Sequence, residues 1–221
     1  NILGYSTPKT LIPPDHSNKM GHWESRKIAR LNDSILENLG LKWDSWNNID
    51  ISLLRDSERK SFKSDIISTI KSEFQRPEYI LVKEPRICRF TSIYLDALRD
   101  LDYEINIFFI IRNPLEVIDS LVSRNGMSAI DAGLLWLRYN LDAEYESRKH
   151  NRFFVEFSKL TDNPCKVFSN LGSQKNITFP HDLRDVSDRL KEFVQPSEIN
   201  NSYSSIDVGH NEISKGWIED A

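Results

Sequence analysis

The chain has little cysteine and no long apolar run. Its two cysteines, Cys88 and Cys165, are too few for a disulfide framework or a cysteine metal cluster. They fit reduced thiols, so we expect a reducing compartment and a cytoplasmic location. No apolar run approaches the roughly 20 residues that cross a bilayer, so no membrane-spanning segment is expected.

An excess of basic residues and a metal-binding pattern are also missing. The chain has 33 acidic and 29 basic residues and a net charge of −4, which argues against a general nucleic-acid surface. The five histidines show no metal-ligand spacing, so we assign no metal. No G-x-x-x-x-G-K-[ST] motif is present, which disfavours a phosphotransferase of the kind that uses this loop.

The length of 221 residues fits one α/β domain, which we predict over residues 1–221. The chain starts at Asn1-Ile-Leu-Gly4, without an initiator Met or the layout of a signal peptide. It ends at Ile218-Glu-Asp-Ala221 without a clear stop signal for the last element. We therefore expect both ends to be cuts through a longer protein.

The most informative stretch is Ile105–Ser120. A continuous run of apolar residues up to Ile111 predicts a strand buried on both faces, as in a parallel sheet. Asn113 and Pro114 then predict the start of a helix, because Asn is a good N-cap and Pro suits the first helical position. Arg112 at this junction indicates an anion site made by a guanidinium and a helix N-terminus. From this stretch alone, an ordinary βα turn with a solvated or salt-bridged Arg112 fits slightly better.

Other segments alternate between helical and strand patterns. Helices are predicted from residues 24–25 to 39, with Gly40 as the stop, from 58 to 77, from about 90 to 100, from 128 towards 150, from 164 to about 171, and from 182 to 194. Strands are predicted at 79–82 and 152–157. Loops at 5–22 and 41–57 are expected to shape a ligand pocket. The second loop contains Trp43 and Trp46, which could line a binding surface, although packing under the loop explains them better.

A dense charged cluster, Lys83-Glu84-Pro85-Arg86, follows the predicted strand 79–82. Ligands of open α/β sheets bind at the carboxyl ends of strands, although surface charge explains the cluster equally well. A parallel strand–helix–strand unit over residues 79–112 would bring Lys83 and Arg112 to one edge of the sheet.

Four segments in order resemble the sulfotransferase family, especially its bacterial members. They are Gly21-His-Trp-Glu24, Leu81-Val-Lys-Glu-Pro-Arg-Ile-Cys-Arg89, Ile111-Arg-Asn-Pro-Leu-Glu-Val-Ile-Asp-Ser120 and Leu135-Trp-Leu-Arg-Tyr139. The resemblance covers about residues 1–160. It implies a three-layer P-loop NTPase-like α/β fold, with a central parallel sheet flanked by helices. It also implies transfer of a sulfuryl group from 3′-phosphoadenosine 5′-phosphosulfate (PAPS) to the hydroxyl of a small-molecule or glycan acceptor.

The resemblance assigns roles residue by residue. Arg112 and Ser120 correspond to the residues that hold the 3′-phosphate of PAPS, and Lys83 to the lysine that approaches the sulfuryl group and the bridging oxygen. Glu24 is the best match to the glutamate that acts as general base in several members. From the residues alone, the sequence favours the interpretation of Glu24 as an acidic group that interacts with a helix dipole. Arg86, in the charged cluster, is assigned to cofactor binding.

One family feature is absent from the sequence. The Gly-, Arg-, Ser- and Thr-rich loop that binds the 5′-phosphosulfate is not found, and we expect it upstream of Asn1. If the protein lacks this loop altogether, the alternative is a catalytically inactive nucleotide-binding or interaction module of the same fold.

Overall fold

The computed structural model describes residues 2–15, 18, 21–74, 78–175 and 177–194. The structure is mainly helical, with one small sheet. Its helices are α1 (Arg26–Asn38), α2 (Asp56–Glu73), α3 (Thr91–Arg99), α4 (Pro114–Asn125), α5 (Ala129–Ser147), α6 (Phe157–Asp162), α7 (Pro164–Lys175) and α8 (Leu183–Phe193). Two 3-10 helices span Ile51–Leu53 and Pro85–Phe90, and the strands are β1 (Ile107–Ile111) and β2 (Arg152–Glu156).

The first three helices and the 3-10 helix Pro85–Phe90 enclose the largest apolar core. Helix α1 begins after Ser25, whose hydroxyl accepts a hydrogen bond from the Ile28 amide. It ends before Gly40, which has φ +72 and fills the left-handed position that follows many helices. Both boundaries agree with the predicted helix. The buried members of this core are Ile28, Ile35, Leu36, Ile51, Phe62, Ile66, Ile70, Phe74, Phe90, Ile93, Tyr94 and Ala97.

A second core joins helices α4 and α5. Helix α4 begins as predicted, with the Asn113 side chain accepting from the Leu115 amide at 3.0 Å and Pro114 at its first position. Helix α5 begins after Ser128, whose hydroxyl accepts from the Asp131 amide at 3.1 Å, which agrees with the helix predicted from residue 128. The buried side chains between the two helices are Leu115, Ile118, Leu121, Ala132 and Leu135.

Strands β1 and β2 pair in parallel, with Ile107 opposite Arg152 and Ile111 opposite Glu156. The crossover between them consists of α4 and α5. One face of the sheet, with Phe108 and Phe153, packs against α7 in a third apolar core. The parallel sheet and its helical crossover confirm the predicted α/β class in its general form.

The prediction that β1 is buried on both faces is wrong. Ile110 and Ile111, at its carboxyl end, are 49% and 40% exposed. Side chains alternate across a strand, so Phe109 and Phe154 lie on the face opposite Phe153. Phe154 is 53% exposed. The described part of the sheet has only two strands, so β1 lacks the neighbours and covering layers that bury a central strand.

The predicted strand at residues 79–82 is also wrong. This segment forms one isolated parallel bridge, between Ile80 and Ser6, instead of pairing with β1. The Ser6 amide donates to the Tyr79 carbonyl at 2.8 Å, and the Leu81 amide donates to the Ser6 carbonyl at 3.3 Å. The described residues therefore contain no strand–helix–strand unit over 79–112.

The helical content includes no membrane span. Within the described ranges, every helix is too short or too polar to cross a bilayer.

Candidate functional site

Glu24 and Lys83, which are 59 positions apart in the chain, are in direct contact. The Lys83 ammonium donates to Glu24 Oε1 at 2.5 Å and to the His22 carbonyl at 2.8 Å. The Glu24 side chain is nearly buried, with 11% exposed, whereas the Lys83 side chain is 52% exposed. The structure thus joins the two predicted catalytic residues, and the lysine is the partner that solvent or a ligand reaches more easily.

The segment Gly21–Glu24 that supplies one half of this pair has an unusual backbone. Gly21 has φ +86, and Trp23 has φ +57, a left-handed conformation that is rare for a bulky residue. Such a residue costs on the order of 1–3 kcal/mol and persists only where its surroundings enforce it. The Trp23 ring meets Phe193 of α8 edge-on, with 5.7 Å between the ring centroids. Backbone strain beside a charged pair is typical of functional sites.

Glu73, at the end of α2, binds both Ser25, which follows Glu24, and Thr10 in the neighbouring segment. One carboxylate oxygen of Glu73 accepts from the hydroxyls of Ser25 at 2.6 Å and Thr10 at 2.7 Å, and from the Thr10 amide at 3.2 Å. The Glu24 carbonyl accepts from the Ile12 amide at 2.9 Å. Ser25 follows Glu24 and caps α1. These bonds therefore fix the position of Glu24 just before the helix.

Burial of Glu73 opposes its ionisation, but the hydrogen bonds from Ser25 and Thr10 outweigh that effect, so its pKa lies below the ordinary value. The Lys27 ammonium, 3.4 Å from the other carboxylate oxygen, acts in the same direction. Glu73 is therefore a buried anion with three hydrogen bonds on one oxygen, whereas, among the described residues, its other oxygen has only the ion-pair contact with Lys27.

On the other side of the pair, buried Glu84 fixes the backbone next to Lys83. Its carboxylate accepts from the Arg86 amide at 3.1 Å and from the side chains of Asn32 and Arg86. Asn32 in turn accepts from the Tyr94 hydroxyl at 2.6 Å. Burial raises the pKa of Glu84 even though Arg86 opposes the shift. Lys83 is thus carried on a turn that is anchored in the first apolar core.

Arg86, predicted to bind the cofactor, lies between two carboxylates. Its Nε is 2.9 Å from Asp33, and an Nη contacts Glu84. Only 19% of its side chain is exposed. The contacts describe a residue that fastens the Lys83 turn to α1, and its predicted role at the cofactor stays a prediction.

Arg112, at the end of β1, is oriented by two neighbours. Its Nε donates to Glu116, one turn into α4, at 2.7 Å. Its guanidinium lies over the ring of Phe157, the first residue of α6, at 4.7 Å from the centroid. Ser120 follows Glu116 by four residues and therefore lies on the same side of α4.

The Glu24–Lys83 pair and Arg112 have separate hydrogen-bond partners, but helix α5 packs beside both. Helix α5 packs on the 3-10 helix that follows Lys83, and also on α4, which follows Arg112. The Arg89–Asp142 ion pair, 2.6 Å long, fastens that 3-10 helix to α5. Leu115 and Leu135 contribute to the apolar core between α4 and α5.

No protein-family model, curated protein or solved structure matches the chain. The sulfotransferase resemblance therefore depends on the four motif segments alone. In the part of the chain that the structure describes, no group of three or more His, Cys, Asp or Glu side chains is arranged to hold a metal ion.

Three supporting residues were missed from the sequence: Asn32, Glu73 and Glu84. Asn32 lies four positions after Ile28, on the apolar stripe of α1, and is fully buried. A polar residue on a buried stripe needs a partner, so that position carried a readable signal. Glu73 carried no comparable signal, because its donors come from distant parts of the chain. Glu84 was named only as a member of the charged cluster, and its bond to Asn32, 52 positions away, left no signal in the sequence.

Proposed function

We propose that this chain is part of a PAPS-dependent sulfotransferase and that Glu24 and Lys83 form its transfer centre. The observation that carries the proposal is the 2.5 Å contact between the two residues to which the motif resemblance assigns catalysis. Their motifs are separated by more than 50 residues, so nothing in the sequence required them to meet. A base and a cation that meet beside a strained backbone suit proton removal coupled to group transfer.

Each residue type suits its proposed task. PAPS supplies the activated sulfuryl group. Transfer between two oxygens needs mainly positioning and charge stabilisation, as in phosphoryl transfer. Lys83 offers a compact charge with rotatable donors for the leaving oxygen. Glu24, nearly buried and fixed by its neighbours, takes the proton from the acceptor hydroxyl.

Arg112 and Ser120 are proposed to bind the 3′-phosphate. The guanidinium is planar and can match two phosphate oxygens. Glu116 and Phe157 hold Arg112 in one orientation at the start of α4, where the helix dipole favours an anion. Helix α5 supports this turn and the Lys83 turn together, which favours a single cofactor between them.

The proposed fold is the three-layer P-loop-like arrangement of the family. The exposed face and edge of the two-stranded sheet support it, because parallel sheets are covered on both faces in such folds. In that arrangement further strands and helices would cover Ile110, Ile111 and Phe154.

The proposal is tested by calorimetry, which compares the affinity of the protein for 3′-phosphoadenosine 5′-phosphate (PAP) with its affinity for plain AMP. We expect PAP to bind more tightly than AMP by about tenfold or more, since its extra phosphate meets a bidentate arginine. Arg112→Ala should remove this preference and leave AMP binding little changed. Equal affinity of the wild-type protein for the two nucleotides would overturn the assignment of Arg112.

The second candidate is a catalytically inactive nucleotide-binding or interaction module. The specific observation in its favour is that residues 1–221 contain no glycine-rich phosphate-binding loop. This module would bind PAP in preference to AMP but release no PAP from PAPS with any acceptor hydroxyl. Sulfuryl transfer by the protein would eliminate it.

A further inference from the structure

Helix α5 carries a row of exposed apolar side chains. Ile130, Leu137 and Leu141 are 62%, 40% and 49% exposed, and Leu134 between them is partly exposed. Single exposed apolar residues are ordinary on a protein surface, whereas a contiguous group of them marks an interaction site. These four residues are called the α5 seam below.

The seam residues share one face of the helix. At about 100° per residue, their four positions fall within an arc of about 60°. The buried residues of α5, which include Ala132, Leu135 and Asp142, lie on another side. That side packs on α4 and on the 3-10 helix Pro85–Phe90. Within the described part of the chain, the seam is therefore a helix face that the fold leaves largely open.

The spacing of the seam is that of a coiled coil. Its residues are separated by four, three and four positions, which is the a/d pattern with which two helices interlock. This series reads the same from either end. When a second copy of α5 lies antiparallel, Ile130 meets Leu141 of that copy and Leu134 meets its Leu137, and the other two layers follow by symmetry. Every apolar side chain of the seam then faces another one.

The charges beside the seam favour the same arrangement. Asp131 and Arg138 lie on one flank of it, since seven residues are almost two full helical turns. Asp131 is exposed, and 21% of the Arg138 side chain is exposed. In the antiparallel pair, Asp131 of each copy lies within about half a helical turn of Arg138 of the other, so two opposite-charge pairs are related by symmetry. A parallel pair would instead place each charge level with its like.

We propose that the α5 seam is a homodimer interface, in which α5 packs antiparallel on α5 of a second copy of this chain. From Ile130 to Leu141 the seam is about 17 Å long, at 1.5 Å per residue. An interface built on one helix of this length belongs to the small, reversible class. We therefore expect a dimer with a dissociation constant of about 10–100 μM.

Sedimentation equilibrium of the 221-residue chain, from about 5 to 500 μM, tests the proposal. The measured mass should rise with concentration towards twice that of one chain. Leu137→Glu places a charge inside the seam and should weaken dimerisation at least about tenfold. Leu53→Glu, at a leucine that is 80% exposed on another helix, is the matched control and should dimerise like the wild type. Both variants should keep the circular dichroism of the wild type, because both positions are exposed.

Cysteine cross-linking under mild oxidation tests the orientation. Chains with Ile130→Cys and chains with Leu141→Cys should form a disulfide-linked dimer when they are mixed, and little when each is oxidised alone. A parallel pair would give the opposite pattern. The wild type, with Cys88 and Cys165 as free thiols, is the blank.

Three results would overturn the proposal. The first is a wild-type chain that stays monomeric at about 500 μM, which would leave the seam to a different partner. The second is a Leu137→Glu variant that dimerises as readily as the wild type, which would place the interface elsewhere. The third is the cross-linking pattern of a parallel pair. Because no nucleotide is used, these outcomes are independent of the PAP titration.

Discussion

The regions that hold Glu24 and Arg112 are packed in different ways. Around the Glu24–Lys83 pair, helices α1, α2 and α3 enclose twelve buried apolar side chains, and buried carboxylates such as Glu73 are matched with donors. Around Arg112, a two-stranded sheet is covered on one face by α7 and leaves Phe154 and two isoleucines exposed on the rest. The first region is a closely packed core, whereas the second leaves large apolar side chains exposed among the described residues.

This difference in packing matches the two tasks of the proposed site, which are catalysis at Glu24 and Lys83 and phosphate binding at Arg112. Proton removal and charge stabilisation depend on positions that are accurate to a fraction of an ångström, which the helical core provides through Glu73 and Glu84. Holding a phosphate needs a correctly oriented guanidinium, and Arg112 obtains this locally from Glu116 and Phe157. In the proposed site, the sheet would therefore support binding with fewer buried contacts than surround the Glu24–Lys83 pair.

The largest expected effects concern turnover with PAPS. Glu24→Gln should lower kcat by about 10²–10⁴-fold, because it removes the base and keeps the shape. Lys83→Ala should lower turnover comparably, since it removes the charge at the leaving oxygen. Both variants should still bind PAP, as measured by calorimetry.

The matching change in the sheet region is Arg112→Ala, which should weaken PAP binding and raise KM more than it lowers kcat. A Glu24→Gln variant with wild-type turnover would remove Glu24 as the base. A loss of PAP binding in that variant would show that the two regions do not divide the tasks as described.

Truncation of one isoleucine in each region should lower the free energy of unfolding by different amounts. Ile66→Ala removes a fully buried side chain of the helical core and should lower the free energy of unfolding by about 2–5 kcal/mol. Ile110→Ala removes a side chain that is half exposed and should cost less than about 1 kcal/mol. Urea denaturation measures both. Equal losses would contradict the description of the sheet as incompletely covered.

A smaller effect is expected at Glu73. Glu73→Gln keeps the shape but replaces one acceptor oxygen with an amide group, and should cost about 1–3 kcal/mol near neutral pH. The folded-state pKa is below the ordinary 4.5, so the contribution of Glu73 is fully present above that value. It is lost as the pH falls through the lowered pKa.

Denaturation curves from neutral to acid pH measure this difference. The gap between wild type and Glu73→Gln should shrink as the solution becomes more acidic. Glu104→Gln, at an exposed site, is the control and should follow the wild type at every pH. A gap that does not change with pH would mean that the charge of Glu73 adds nothing to the fold.

Helix boundaries were readable from the sequence because their signals are local. Asn113-Pro114, Ser128 and Gly40 each act on the next turn of chain, and each was placed correctly. The strand at residues 79–82 was not, because strand pairing is decided by distant segments. Its partner is Ser6, more than 70 residues away, and an apolar run of four residues carries no information about that partner.

The site was predictable in its parts but not in its connections. Motif spacing picked out Glu24 and Lys83, yet the predicted route by which Lys83 would meet Arg112, through neighbouring strands, was wrong. The contact that formed instead depends on hydrogen bonds of Glu73 with Ser25 and Thr10 and of Glu84 with Asn32, which span 48 to 63 positions in the chain. Such long-range hydrogen bonds leave no periodic pattern in a sequence.

The central claim is that Lys83 and Arg112 face one nucleotide. NMR of the Lys83 ammonium and the Arg112 Nε–H, during titration with PAP and separately with AMP, tests it most directly. If the two residues share one nucleotide, PAP shifts both signals together with one dissociation constant, and AMP shifts the Lys83 signal alone. A PAP titration that moves one signal and leaves the other unchanged would contradict a shared site.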